Sequence, residues 1–154
     1  MTKENFLKPI LKFYLSDEAK EKGISLVIPK LGDAGFDIRS LNDVEIQPNE
    51  QVLVSTGLYV AVPLGYVMII KDRSGMAAKR RIYTHAGVID ASYRGEVKIV
   101  VTNESNETQK LLQGEKIAQG VVVPCVVDAT QEETLEGLGD TERGAGGFGS
   151  SGKF

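Results

Sequence analysis

Residues 51–72 read QVLVSTGLYVAVPLGYVMIIKD, and this stretch decides the fold class. It holds two apolar runs rich in Val, Ile and Tyr, which are enriched in β-strands, with a Pro-Leu-Gly break between them. Similar short runs recur along the chain as ILKFYL, DVEIQ, GEVKIVVTN, QKLLQ and IAQGVVVPCVV. Short strands at close spacing predict an all-β fold, a jelly-roll-like β-barrel or sandwich, and a chain of 154 residues suits one such core.

The rest of the chain predicts little helix. Two short helices are expected, one over residues 16–22, where Ser-Asp-Glu resembles a helix N-cap, and one over residues 74–81. After Val127 the sequence DATQEETLEGLGDTE is acidic, polar and weakly periodic, which is typical of a tether. We therefore expect a β domain over residues 1–127, followed over residues 128–154 by a tether and a flexible glycine-rich tail.

One strand predicts an oligomer. Residues 96–99 alternate between polar and apolar, as expected of a strand with one solvated face, whereas residues 121–123 are all valine. A strand that is apolar on both faces, in a small antiparallel domain, indicates that one face meets another subunit.

Charge and composition exclude several classes of protein. A formal net charge of -3 and a pI near 5.3 argue against a nucleic-acid scaffold or a protein that binds anionic membranes. There is no apolar run of transmembrane length, and the start MTKENFLKPILKF lacks the long apolar stretch of a signal peptide. These features predict a soluble intracellular protein, cytoplasmic or, in a eukaryote, nuclear. The single cysteine, Cys125 within VVVPCVV, is typical of a core or interface residue.

The stretch RGAGGFGSSG, residues 143–152, carries five glycines in ten residues. Its free backbone N–H groups, the Arg143 guanidinium and the hydroxyls of Ser150 and Ser151 suit phosphate, and the Phe148 ring offers a face for stacking a base. Two interpretations fit the stretch: a lid over a nucleotide, or a disordered polar terminus.

Two further stretches interrupt the strands with polar residues. In DAGFDIRS, residues 33–40, Asp37 either projects from the start of a strand or caps its own turn. In KDRSGMAAK, residues 71–79, Arg73, the Ser74 hydroxyl and the first-turn amides of a following helix can converge on one phosphate.

HAGVIDASYRGEV, residues 85–97, predicts a strand, a tight turn and a returning strand that expose Asp90 and Tyr93. Asp90 is a candidate general base, and a turn aspartate with no catalytic role fits the same pattern. In GEKIAQG, residues 114–120, Gln119 lies in a mostly apolar strand, where its amide needs a partner. That partner can be backbone, another subunit or a ligand.

These five stretches, in this order, resemble the five motifs of the trimeric deoxyuridine triphosphatases (dUTPases). The resemblance implies a β jelly roll that forms a homotrimer, with each active site built from motifs of different subunits. It implies hydrolysis of dUTP to dUMP and pyrophosphate, with Mg²⁺ on the triphosphate. That reaction limits uracil incorporation into DNA and supplies dUMP for thymidylate synthesis.

The resemblance also assigns roles around the triphosphate. Asp90 activates the water that attacks the α-phosphorus, and Asp37 helps arrange the water shell of Mg²⁺. The residues that contact the phosphates from a neighbouring subunit are Arg73, Ser74 and Gly75, joined by Gln119.

Selectivity is assigned to the third motif and the tail. Uracil pairs with main-chain groups near Ala86 and Gly87, in a pocket too tight for thymine's methyl group, and Tyr93 packs against the deoxyribose so that a ribose 2′-hydroxyl has no room. The tail closes over the substrate: Phe148 stacks on uracil, Arg143 takes the terminal phosphate, and the phosphate chain is covered by Gly149, Ser150 and Ser151.

Two alternative functions remain open on the sequence. A dCTP deaminase, or a bifunctional deaminase and triphosphatase, shares this fold but needs a distinct acid/base carboxylate, usually glutamate; Asp90 within AGVIDASYRGE favours the triphosphatase. A regulatory nucleotide-binding protein would retain the trimer and lose catalysis, although Asp90, Arg73 and Gln119 are all present.

Overall fold

The computed structural model describes residues 11–126 and 129–142, and it is built mainly of short β-strands. The strands in these residues are β1 (Lys12–Leu15), β2 (Phe36–Arg39), β3 (Val44–Ile46), β4 (Gln51–Val54), β5 (Leu58–Ala61), β6 (Tyr66–Asp72), β7 (Ile82–His85), β8 (Val88–Ile89), β9 (Ile99–Asn103), β10 (Gln109–Leu111) and β11 (Lys116–Pro124). The helical elements are α1 (Asp17–Glu21), a π-helical turn (Met76–Arg80) and a 3₁₀ turn (Glu136–Leu138). The all-β class expected from the sequence is confirmed.

The strands form antiparallel sheets that pack as a sandwich. The largest sheet has the order β2-β11-β6-β8, and a second has the order β4-β9-β7. The pairs β1-β5 and β10-β3 complete the layers. Of the two architectures expected, the sandwich is observed, and the described strands do not close into a barrel.

The core follows the alternation of the strands. In β2, Phe36 and Ile38 are buried while their neighbours are half-buried, and in β9 Ile99 and Val101 behave in the same way. These side chains belong to a single cluster shared by both main sheets. Complete burial of such a side chain stabilises the fold by roughly 1.5–3 kcal/mol, so this cluster is the main force that holds the sheets together.

Both predicted helices are observed. Ser16 caps α1, since its Oγ accepts a hydrogen bond from the Ala19 N–H at 3.2 Å, and Ala19 packs in a small buried cluster. The second element is a π-helical turn that anchors Met76 in the core and ends at Arg80; Arg81, which follows it, has a φ of 54° in the left-handed region.

Arg80 ties this turn to the neighbouring sheet. Its Nε donates to Gln109 Oε1 at 3.0 Å, its Nη1 to Glu115 Oε1 at 2.6 Å and its Nη2 to the Lys110 carbonyl at 2.7 Å. The forked guanidinium can hold three acceptors at once, so it fixes the turn that directly follows Arg73.

The predicted hairpin over residues 85–97 is wrong in its pairing. The turn is present, because the Tyr93 N–H donates to the Asp90 carbonyl at 3.1 Å. However, β8 pairs with β6, whereas β9 pairs with β4 and β7. The chain therefore crosses between sheets after Asp90, so β8 pairs outside the segment, whereas β7 and β9 on either side of it pair with each other, with His85 opposite Val100.

Two other predictions concern surfaces of the domain. In the single chain residues 121–123 are only half-buried, so the expectation that a second subunit covers them stays a prediction. Residues 129–142 are exposed, with Leu138 71% exposed, and the tether expected over residues 128–154 stays a prediction. Within the described part of the chain, no helix combines the length and apolar character needed to cross a membrane.

Candidate active site

Asp37 lies in β2 between two cations. Its Oδ1 is 2.9 Å from Arg73 Nε, and its Oδ2 is 2.6 Å from Lys116 Nζ. Partial burial of the carboxyl raises its pKa, but the Lys116 ammonium and the Arg73 guanidinium outweigh that effect and hold the pKa of Asp37 below its usual range. Asp37 is therefore a fixed negative charge that orients both cations.

Arg73 is held from a second side. Its Nη1 donates to the Lys116 carbonyl at 3.1 Å, so the guanidinium is fixed on both β2 and β11. Ser74 and Gly75 follow at the start of the helical turn and are exposed. A Cβ on Gly75 would meet no atom of the described chain within 4 Å. This edge joins a cation, a hydroxyl and open backbone, which are the groups that bind phosphate.

Gln119 lies on β11 opposite Asp37 of β2 and Lys71 of β6. Its Nε2 donates to the Asp72 carbonyl at 2.8 Å. The sequence left three kinds of partner open for the Gln119 amide, and the one observed is a main-chain carbonyl. The contact fixes the side chain of Gln119 at the end of the sheet that carries Arg73.

The turn between β7 and β8 has an unusual backbone. Ala86 and Gly87 have φ values of 55° and 93°, both in the left-handed region, which is rare for alanine. The Gly87 carbonyl accepts a hydrogen bond from the Ile70 N–H at 2.7 Å. A Cβ on Gly87 would lie 2.8 Å from Ile70 Cβ, so only glycine allows the turn to press against β6.

Asp90 follows β8 and is exposed. It forms part of the wall of an open groove of about 450 Å³, whose other lining residues include Tyr66, Val88 and Cys125. Cys125 is half-buried and forms no disulfide. Asp90 thus presents its carboxylate at the rim of a largely apolar surface.

Tyr93 folds back over its own turn. Its hydroxyl donates to the Glu96 carbonyl at 2.8 Å, and its ring covers Gly95, where a Cβ would lie 2.7 Å from Tyr93 Cζ. The Glu96 carboxylate in turn accepts hydrogen bonds from the Thr56 and Gly57 N–H groups at 3.0 and 2.9 Å. The position of the Tyr93 ring therefore depends on a glycine two residues further along the chain.

The candidate residues divide by the role that the motifs imply. Only Asp90 and Arg73 lie towards opposite ends of β6, since the Gly87 carbonyl bonds to the Ile70 N–H near the end that carries Arg73. We call Asp37, Arg73, Ser74, Gly75 and Gln119 the phosphate-side residues, and Ala86, Gly87, Asp90 and Tyr93 the base-side residues. In the register of β8 on β6, Val88 lies opposite Ile69 and Ile89 opposite Met68, so the chain reaches Asp90 near the start of β6. Arg73 follows the far end of that strand. At about 3.4 Å per residue, Asp90 and Arg73 of one chain are separated by roughly 20 Å along β6.

Comparison with known proteins identifies the family. The model of the dUTPase family matches residues 23–152, which is most of the chain. A deoxyuridine 5'-triphosphate nucleotidohydrolase of Nautilia profundicola is 49% identical over 122 residues, covering 78% of this chain and 84% of the relative. The chain belongs to the dUTPase family.

Solved dUTPase structures agree with this assignment. The G164S mutant of the Staphylococcus bacteriophage 80alpha dUTPase with dUpNHpp superposes with a TM-score of 0.80 at 30% identity, covering 94% of this chain and 99% of the phage chain. A mutant dUTPase from phage phi11 of Staphylococcus aureus, described with a coordinated structural Mg(II) ion, gives a TM-score of 0.73 at 27% identity over 82% of this chain and 99% of that one. The resemblance found in the sequence motifs is confirmed.

The fifth dUTPase motif cannot be placed. Its predicted site residues are Arg143, Phe148, Gly149, Ser150 and Ser151, and all of them lie outside the described residues. The family model extends to residue 152 and so includes this motif. Its role as a lid stays a prediction.

Three residues whose contacts lie beside the candidate site are not predicted from the sequence. The sequence shows Lys116 only as part of a motif, although it pairs with Asp37, and does not predict the contact of Asp72 with Thr84. The alternating charge of GEKIAQG is visible in the sequence, but only the register of β11 on β2 brings Lys116 to Asp37. The contact of Lys116 with Asp37 therefore cannot be predicted from neighbouring residues in the sequence.

The candidate site has few side chains that could bind Mg²⁺ directly. This ion keeps several waters and takes few protein ligands when substrate phosphates are present. Among residues 11–126 and 129–142, no three His, Cys, Asp or Glu side chains gather to hold a metal. Both Asp37 oxygens already face cations. The Asp37 carboxylate can still accept hydrogen bonds from water, which is compatible with an ion held mainly by substrate phosphates and water; the contact of Asp37 with that water stays a prediction.

Proposed function

We propose that this chain hydrolyses dUTP to dUMP and pyrophosphate as a homotrimer whose active sites are shared between subunits. The observation that carries the proposal is the separation of Asp90 from Arg73 along β6. In this assignment a single chain keeps its base, Asp90, apart from its phosphate cation, Arg73. Two chains that meet head to tail can bring the base side of one to the phosphate side of the next, and closure of such contacts gives a ring.

The phosphate side binds and orients the triphosphate. Arg73 supplies a permanent positive charge whose direction is set by Asp37 and the Lys116 carbonyl. Ser74 and Gly75 supply a hydroxyl and exposed backbone beside it, and Gln119 an amide. Because these groups are fixed before substrate arrives, little reorganisation is needed as charge shifts during the reaction.

Asp90 acts on the attacking water. Its carboxylate accepts a proton from the water as the water oxygen bonds to the α-phosphorus, and the bond from the α-phosphorus to the bridging oxygen breaks to release pyrophosphate. When bound with the triphosphate, Mg²⁺ would neutralise phosphate charge, and Asp37 would help hold its water shell. The exposed position of Asp90 at the rim of its groove leaves room for both water and substrate.

The base-side turn selects uracil. The left-handed backbone at Ala86 and Gly87 holds main-chain donors and acceptors at fixed positions, which suits pairing with the edge of a base. The Tyr93 ring, fixed over Gly95, faces the sugar and leaves no room for a 2′-hydroxyl. In this proposal Arg143, Phe148, Gly149, Ser150 and Ser151 close over the bound nucleotide.

The test of this function is pyrophosphate release with Mg²⁺ from dUTP, dTTP, dCTP and UTP, each offered separately to the purified chain. We expect release from dUTP at a kcat/KM at least about a hundredfold above that for the other three. Deaminated products from dCTP would instead support the deaminase. Binding of dUTP with no release from any substrate would support a regulatory nucleotide-binding protein.

The ribose selectivity gives a separate prediction through Gly95. In Gly95→Ala the added methyl group displaces the Tyr93 ring, since its Cβ would lie 2.7 Å from Tyr93 Cζ. We expect the preference for dUTP over UTP, measured as the ratio of kcat/KM values, to fall roughly tenfold. The exposed Ser92→Ala on the same turn serves as the matched control and retains the preference. An unchanged ratio in Gly95→Ala would show that the Tyr93 ring does not select against the ribose 2′-hydroxyl.

A further inference from the structure

Asp72, the last residue of β6, makes a contact that the reaction described above does not use. Its Oδ1 accepts one hydrogen bond from the Thr84 N–H and another from the Thr84 hydroxyl, each at 2.6 Å. Both residues are half-buried. Short hydrogen bonds to a carboxylate are among the stronger polar contacts in proteins, so this pair fixes the end of β7 against β6.

Thr84 lies two residues before the left-handed turn. Ala86 has a φ of 55°, which a residue other than glycine keeps only where its surroundings impose it, whereas Gly87 adopts its positive φ without strain. On the far side of the turn, the Ile70 N–H holds the Gly87 carbonyl at 2.7 Å. β6 therefore holds the turn at both ends, by a main-chain bond at Ile70 and by a side chain at Asp72.

We propose that Asp72 is a positioning residue, which fixes the uracil-recognition turn through Thr84 and thereby sets the affinity and selectivity for the base. The inference rests on the proposed function, because it takes Ala86 and Gly87 as the groups that meet uracil. Recognition by main-chain groups depends on their position, and a displacement of about 1 Å is enough to lose paired hydrogen bonds. Asp72 touches none of the reacting atoms in this proposal.

The role of the Asp72 side chain can be tested without disturbing the phosphate-side residues. The Asp72 carbonyl accepts the hydrogen bond of Gln119, and a replacement of the side chain leaves that carbonyl in place. Asp72→Ala therefore removes both contacts with Thr84 and retains the contact with Gln119. Asp72→Asn retains an oxygen that can accept both hydrogen bonds from Thr84.

The test compares steady-state hydrolysis of dUTP and dTTP by wild type, Asp72→Ala and Asp72→Asn, with thermal melting of each. In Asp72→Ala we expect KM for dUTP to rise roughly tenfold or more with kcat changed less than about twofold, since the loss affects binding of ground state and transition state alike. The preference for dUTP over dTTP falls in the same variant. Asp72→Asn restores KM to within about threefold of wild type.

Each outcome is decisive. A folded Asp72→Ala with unchanged KM and selectivity, or a KM in Asp72→Asn as high as in Asp72→Ala, overturns the positioning role. If Asp72→Ala does not fold, Thr84→Val and Thr84→Ser replace it: a raised KM in the first with rescue in the second supports the role, and equal KM values overturn it. Failure of wild type to hydrolyse dUTP would instead overturn the proposed function itself.

Discussion

Asp90→Asn lowers kcat for dUTP by roughly 10²–10⁴-fold, the usual contribution of a general base, while KM changes far less. Asparagine has nearly the shape of aspartate but cannot accept a proton from water. The main-chain turn is preserved, because it uses the Asp90 carbonyl rather than the side chain. The measurement is the rate of pyrophosphate release at saturating dUTP with Mg²⁺.

The matched control for this variant is Asp43→Asn. Asp43 is also exposed, and its Oδ1 accepts a hydrogen bond from the Gln113 N–H at 2.8 Å, which an asparagine oxygen can retain. We expect Asp43→Asn to keep wild-type kcat, and both variants to unfold within about 0.5 kcal/mol of wild type. If Asp90→Asn retains more than about a tenth of kcat, Asp90 is not the base.

The strands and helices of this dUTPase could be predicted because their signals are local. Val and Ile runs between turn residues predict β6 and β9, and the Ser-Asp-Glu start predicts α1. The family could be predicted because its motifs are continuous stretches in a fixed order. Such features depend on neighbouring residues alone.

Strand partners and cross-sheet contacts could not be predicted in this way. Residues 85–97 read like a hairpin closed on itself, yet β8 pairs with β6, because burial and twist of the whole sheet decide the partner. Asp37 meets Lys116, and Asp72 meets Thr84, only after the registers of β11 and β7 are set. These non-local contacts fix the geometry of the site.

Mixing two inactive variants restores activity, in contrast to either variant alone. Arg73→Ala removes the phosphate-side cation, and Asp90→Asn removes the base on the other side. In equal mixtures refolded together or expressed together, a shared site takes Asp90 from one chain and Arg73 from another, each intact in half of the chains. About a quarter of the sites are then intact, so we expect about a quarter of wild-type specific activity.

The control mixture pairs two variants from the same side, Arg73→Ala and Gln119→Ala. Their side chains lie at one end of the largest sheet within one chain. A site that takes its phosphate side from a single chain receives one lesion or the other in every combination. Mixing these two variants therefore restores nothing beyond the sum of their separate activities.

The contrast between the two mixtures tests the geometry independently of chemistry. If each chain carried a complete site, the roughly 20 Å between Asp90 and Arg73 along β6 would have to close within one subunit, and no mixture of single variants would then regain activity. That closure would require β8 to leave β6, which would break the pairing of Ile69 with Val88 and the hold of Ile70 on Gly87. If activity returns in the mixture of Arg73→Ala with Asp90→Asn but not in the control mixture, β8 stays paired with β6 and each site uses two subunits.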